Sequence, residues 1–170
     1  FGADGAGSVI IDAFESSDDA FVPTLPPAAT YVGADLYGQG KSEAVGGTQE
    51  KVNSGATAGA SPQGGMNFNP SAAGPGHYIE FTVPVSKAGV YQVQVAAKVS
   101  DSRGTGQWYI DGEAAGEAWN QREAEKIKFH DLGTWTFAEP GDKKFRFEHV
   151  AGNLLLNTDR IVLTPVLAEP

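Results

Sequence analysis

From Gly76 to Pro165 the chain is a succession of short runs in which apolar and polar residues alternate with period two. Gly76-His77-Tyr78-Ile79-Glu80-Phe81-Thr82-Val83 is followed by Ala88-Gly89-Val90-Tyr91-Gln92-Val93-Gln94-Val95. Next come Gly106-Gln107-Trp108-Tyr109-Ile110-Asp111-Gly112, Leu132 to Phe137, Lys144 to Phe147, and Asn157 to Leu163. Gly, Pro or Asp-Gly bounds each run. Alternation of this kind puts successive side chains on opposite faces, which is the pattern of half-buried antiparallel strands. Ile79, Phe81 and Val83 share one face, as do Tyr91, Val93 and Val95. Trp108 with Ile110, Trp135 with Phe137, and Phe145 with Phe147 complete a candidate core. Asp111-Gly112 and Pro140-Gly141 read as hairpin turns, because Gly tolerates positive φ and Asp satisfies the turn backbone.

Composition agrees with many short strands. The 170 residues are 41% hydrophobic, enough for one domain with its own core across 1–170. The 22 glycines, 10 prolines and single Met argue against a helical bundle. A net charge of −9 argues against nucleic acid or an anionic membrane as partner. No apolar run approaches the length of a membrane span. With no cysteine, disulfides, thiolate catalysis and cysteine zinc sites are excluded. Residues 1–7, Phe-Gly-Ala-Asp-Gly-Ala-Gly, read as a linker or processed end.

The first half is less sharply patterned. Ser8 to Phe14 is the first strand candidate, and a short strand is expected around Tyr31-Val32. Residues 38–76 are rich in Gly, Ala, Ser, Asn and Gln. A structureless loop of that length is unusual in a compact domain, so strands are expected at Thr48–Val52 and near Met66-Asn67-Phe68. Ala114–Lys128 reads as a long loop flanking a strand. The sum is an all-β fold, an antiparallel two-sheet β-sandwich.

The order of these pieces resembles carbohydrate-binding modules of families 6 and 35, which are jelly-roll sandwiches of the galactose-binding-like type. Gly76 to Val83 is similar to the family's G-D-Y-V-E-F-x-V strand, with His77 in place of Asp. Ala88 to Val95 is similar to A-G-x-Y-x-V-x-V. The Asp111-Gly112 turn with Gly116 beyond it resembles the family's hairpin. Leu132-Gly133 through Pro140-Gly141, then Asn157-Thr158-Asp159-Arg160-Ile161, resemble its closing L-G-x-x-x-L-x-x-G and N-x-D-x-I. The match covers roughly residues 64–165. Ile11-Asp12-Ala13-Phe14-Glu15 echoes the I-E-A-E start only loosely.

That resemblance implies a non-catalytic module that targets a secreted polysaccharide-active enzyme to its glycan. The module would be extracellular or at the cell surface, part of a larger multidomain protein, with a polysaccharide or oligosaccharide as partner. Trp119 sits in the polar run Gly116-Glu117-Ala118-Trp119-Asn120-Gln121, outside any alternating strand, where the family places a Trp that stacks on a sugar. An indole suits the apolar C–H face of a pyranose, since it offers a large rigid surface with two torsions. The alternative is a Trp folded onto the sandwich edge. Phe68, beside Asn67, matches a second clamping aromatic or is a buried strand residue. Asn157 matches the family's sugar-bonding Asn or stabilises a turn. Asn120 adjoins the stacking Trp, and Tyr31 and Tyr37 are alternatives. Asp12, Glu15 and Asp159 are the candidates for a structural Ca2+ tying first and last strands, although Phe14 stands where a second Glu is expected.

Catalysis has little support in the sequence. Glycoside hydrolysis needs two carboxylates across a bond, and none of the 21 acids stands in a recognisable pair. His77, His130 and His149 have neither metal-ligand spacing nor a nucleophile motif around them. Two other readings stay open: a structural or adhesive surface domain without a sugar site, and a small sandwich-fold lyase or hydrolase.

Overall fold

The structure is a computed structural model that describes residues 25–167. The strand expected at Ser8 to Phe14, with Asp12 and Glu15, lies outside the described residues.

Among the described residues twelve strands and one short helix follow in order. They are β1 (Ala29–Val32), α1 (Gly33–Gly38), β2 (Ser42–Val45), β3 (Gly47–Val52), β4 (Gly65–Pro70), β5 (Tyr78–Val85), β6 (Gly89–Val99) and β7 (Gly104–Ile110). The rest are β8 (Glu113–Asn120), β9 (Lys126–Phe137), β10 (Gly141–Gly152), β11 (Leu156–Thr158) and β12 (Arg160–Val166). A four-stranded sheet runs β1-β12-β6-β9, a five-stranded sheet runs β2-β5-β10-β7-β8, and a small sheet runs β11-β4-β3. The pairings are all antiparallel.

Alternation decides which faces meet. In β5 every second residue is buried, so Ile79, Phe81, Val83 and Val85 point inward. From the four-stranded sheet Val93, Val95, Ile161 and Leu163 join the same core. Trp108 lies at its centre, stacked on Phe147 at 4.5 Å and 7° and facing Phe81 at 6.5 Å. Trp135 is half-buried against this core and donates its Nε1–H to Leu132 O at 3.0 Å. Asp111 takes φ +48° at the β7–β8 turn and its carboxylate accepts from Lys144 N at 2.8 Å, so the hairpin is pinned to β10.

Strands appear where expected around Tyr31, in 48–52 and around 66–68. The expectation of a long loop over Ala114–Lys128 is corrected: most of its first half is β8, and β9 begins at Lys126. A bulge hides the period. Gly106 pairs with Trp119 and Trp108 with Ala115, so β8 carries two more residues than β7 over that stretch. Gly116, at φ +63°, turns the chain there, and an added Cβ would meet Asp131 O at 2.7 Å. Gln107 Nε2 donates to the displaced carbonyls of Ala115 and Gly116, each at 3.2 Å.

Candidate functional site

The loops joining β6 to β7 and β8 to β9 lie at one end of the sandwich. Between them is a hollow of about 520 Å3 lined by Ser100, Asp101, Arg122, Glu123, Ala124 and Glu125. The shape follows from local turns. Ser100 O accepts from Arg103 N at 3.2 Å and closes the β6–β7 turn. Asn120 Oδ1 accepts from Arg122 N at 2.9 Å, an Asx turn that sets the start of the β8–β9 loop. Between them Gln121 O accepts from Ser100 N at 3.2 Å and locks the loops together.

The two glutamates of the hollow are neutralised by lysines from the strands behind them. Glu123 binds Lys128 and Lys126, the latter at 2.9 Å, and the Lys128 hydrogen bond is the main reason its carboxyl is held below the ordinary range. Lys98, at 2.9 Å, does the same for Glu125, assisted by Thr57 Oγ1 from the β3–β4 loop. A general acid for glycoside cleavage needs a raised pKa, so neither glutamate suits that role. Both folded-state values are depressed. The stabilisation is therefore present above the unfolded glutamate value of 4.5 and is lost as pH falls through the folded ones. The protection factors of backbone amides in 121–125, taken against the intrinsic exchange rate at each pH, should accordingly fall below about pH 4.5. Unchanged protection down to about pH 3 would show that these pairs do not fasten the loop.

Beneath the hollow is a buried polar network. Asn157, 1% exposed, accepts from Lys98 N at 2.7 Å and donates to Met66 O at 3.2 Å and Asn67 Oδ1 at 3.0 Å. Gln121, fully buried, clasps the Asn157 backbone, donating to its O at 2.8 Å and accepting from its N at 2.9 Å. Arg103, 6% exposed, donates to Asn67 Oδ1 at 2.9 Å. Burial pushes its pKa down from the ordinary value, while the Glu125 charge acts in the opposite sense.

The residues expected to bind sugar thus gather at this end, but in different roles. Trp119 is corrected from an exposed platform to a core residue: its ring is 4% exposed and its Nε1 finds no partner among the described residues. His130 covers one face of the indole at 4.9 Å and 7°, and Phe147 packs at 6.4 Å. A ring enclosed in this way offers no face for a pyranose. The β8 bulge is why a core Trp has polar neighbours in the sequence. Phe68, 1% exposed, is the buried strand residue of the two readings left open. Asn157 is buried and Asn67 half-buried within the network, and Asn120 is exposed at the rim. Asp101, Arg122, Glu123 and Glu125 were not singled out from the sequence. The signal available was that two polar segments, 100–103 and 121–125, follow strands that the alternation places in one sandwich.

Asp159 is fully buried, and its oxygens accept hydrogen bonds from Ser61 and Arg160. The donor set around it does not fit Ca2+, which needs converging oxygen lone pairs. Among the described residues no group of three or more His, Cys, Asp or Glu could hold a metal. No helix among them is long and apolar enough to cross a membrane.

No protein-family model matches the sequence, nor does any curated protein. Solved structures do. A Paenibacillus xanthan lyase matches 85% of this chain at 25% identity and TM-score 0.68, over 14% of its own length. A family 35 carbohydrate-binding module from Clostridium thermocellum matches 83% of this chain at 15% identity and TM-score 0.57, over 100% of that module. A CBM36 module in complex with calcium and xylotriose matches 80% of this chain at 14% identity and TM-score 0.52, over 99% of that module. The chain therefore has the galactose-binding-like jelly-roll fold of these modules, and it spans a small part of the xanthan lyase.

Proposed function

We propose that this chain is a non-catalytic carbohydrate-binding module whose glycan lies in the hollow between the β6–β7 and β8–β9 loops. The observation that carries this reading is the hollow itself, set on a rigid two-sheet frame and lined by side chains that match sugar hydroxyls. Asp101 accepts two hydroxyl protons, Arg122 donates in a planar fork, and Ser100 does either. Asn120, exposed at the rim, adds an amide. Trp119, Phe68, Asn67 and Asn157 act from below, fixing the loops that carry the contacts. Support also comes from the family 35 and CBM36 modules that share the fold, the latter in complex with xylotriose.

The same reading makes the chain an extracellular targeting piece of a larger polysaccharide-active protein. What supports this is that it matches 14% of a xanthan lyase and 29% of a Podospora anserina mannanase that carries a CBM35. Tethering raises the local concentration of such an enzyme on its substrate. Structural Ca2+ is left out, because the described groups that meet the Asp159 carboxylate are hydrogen donors. One observation favours the rival of a structural or adhesive domain: the hollow's lining contains no aromatic residue.

Affinity electrophoresis against a panel of soluble polysaccharides tests the reading. One or more should retard the native chain. The Asp101→Ala/Arg122→Ala double variant should bind about tenfold or more weaker, as expected for loss of roughly 1.5–3 kcal/mol of charged hydrogen bonds. Its Tm should not move, since both side chains are exposed. No retardation on any polysaccharide, or equal retardation of the variant, would move the assignment to the adhesive domain or to another face.

A further inference from the structure

Asp159 joins β11 to β12 and is fully buried. Its backbone is fixed on both sides: its N donates to Ala96 O at 2.8 Å, and its O accepts from Gly33 N at 2.9 Å. Among the described residues its carboxylate meets hydrogens only. Ser61 N lies 3.2 and 3.1 Å from the two oxygens, Ser61 Oγ donates to Oδ1 at 2.8 Å, and Arg160 Nη1 donates to Oδ1 at 2.5 Å. The same Nη1 reaches Gly59 O at 3.0 Å and Ser61 Oγ at 3.2 Å. The guanidinium also lies 5.0 Å from the centre of the Phe129 ring on β9.

This is the inverse of a cation cage. A hard divalent ion requires several oxygens with their lone pairs converging on one point. Here the lone pairs of a single carboxylate point outward at N–H and O–H groups. The strand beside β12 supplies no second acid either. β1 ends at Val32, and Gly33 follows, where an added Cβ would come within 2.8 Å of Thr158 O, leaving no room for a side chain. Asp35, the nearest acid along that segment, is exposed.

A buried carboxylate still needs a positive partner, since desolvation of an uncompensated charge is costly. We infer that Arg160 is that partner, a built-in cation that takes the place of a bound divalent ion at Asp159. The guanidinium balances the charge and, through Gly59 and Ser61, clamps the β3–β4 loop to the start of the last strand. Arg suits this because its Nη1 reaches three acceptors while the charged guanidinium lies over the Phe129 ring. The clamp reaches the hollow indirectly: the same loop carries Thr57, which donates to Glu125. The inference does not depend on glycan binding, and a chain that binds no sugar would leave it intact.

Thermal melting of the full chain tests it. Tm should be the same in millimolar Ca2+ and in EDTA. Arg160→Gln, which keeps an amide but no charge, should lower Tm by on the order of 10 °C, as expected when a buried pair loses one partner. Arg160→Lys should fall between the two, and Ca2+ should not raise it to the native value. Adding Asp159→Asn to Arg160→Gln should recover part of the loss, because a neutral amide needs no cation. A native Tm that EDTA lowers and Ca2+ restores would overturn the inference, and so would Arg160→Gln melting with the native protein. If Arg160→Gln does not fold, the comparison of Arg160→Lys with the native chain, each with and without EDTA, decides.

Discussion

Trp119→Ala should cost about 3–5 kcal/mol of folding free energy, the range of large aromatic truncations in a packed core. In a chain of this size that lowers Tm by about 10 °C or more. The ring is 4% exposed and sits between His130 and Phe147, so its removal leaves a void bounded by two aromatic systems and by the β8 bulge. His130 is itself fixed by donating to Glu117 O at 2.9 Å, on the bulged stretch of β8, so it cannot simply fall into the space. Trp119→Phe should lose much less. It keeps an aromatic disc in the stack and removes an indole N–H that has no partner among the described residues. Urea unfolding of both variants, read at constant m, checks the pair. An alanine variant that unfolds with the native midpoint would mean the ring is accessible in solution and would return it to the list of sugar contacts.

Asn157→Ala should be nearly as severe, at about 3 kcal/mol, for a different reason. The volume lost is small. What is lost is a partner of three polar groups, Lys98 N, Met66 O and Asn67 Oδ1, of which the last keeps Arg103. A buried group left unpaired costs about 1–3 kcal/mol, and water entering from the hollow offsets part of the sum. Asn157→Asp should do no better. It keeps the acceptor for Lys98 N but presents a second oxygen to Met66 O and Asn67 Oδ1, where a donor is required. Chemical denaturation gives the first result, and the order Asn > Asp ≈ Ala gives the second. If Asn157→Asp were as stable as the native chain, the network would be rearranging around it, with Arg103 as the group to follow.

Where side chains alternate on a regular ladder, the fold was legible. β5, β6, β7, β10 and β12 could each be read from runs such as Ile79-Glu80-Phe81-Thr82-Val83, because a one-residue error would turn the whole core face to solvent. β8 was not, since two extra residues around Gly116 break the period locally. That break also made Trp119 look like a binding platform, so one bulge produced both errors. The Asp159 cradle was beyond reach on other grounds. Asp159 and Ser61 are 98 residues apart, and nothing local in either segment announces the other. The hollow lay in between: its two polar segments were visible as loops, but that Ser100 and Gln121 close on each other follows only once β7 and β8 are paired.

The pairing of β1 with β12 sets Ala29 against Leu163, nearly the whole described length apart in sequence. β12 also completes β6 on its other edge. Until the last strand has emerged from the ribosome, the four-stranded sheet has only the β6–β9 ladder, and β1 has no edge to join. Closure of so long a loop is entropically expensive and comes late, so folding should be slow, in the millisecond-to-second range of sandwiches dominated by distant contacts. The exposed side of β6 is the vulnerable surface during that interval, since its unpaired N–H and C=O groups can template another chain. A circular permutant of residues 25–167 that joins the paired ends of β1 and β12 and opens the chain elsewhere would make the β1–β12 contact local, and it should fold faster than the natural order.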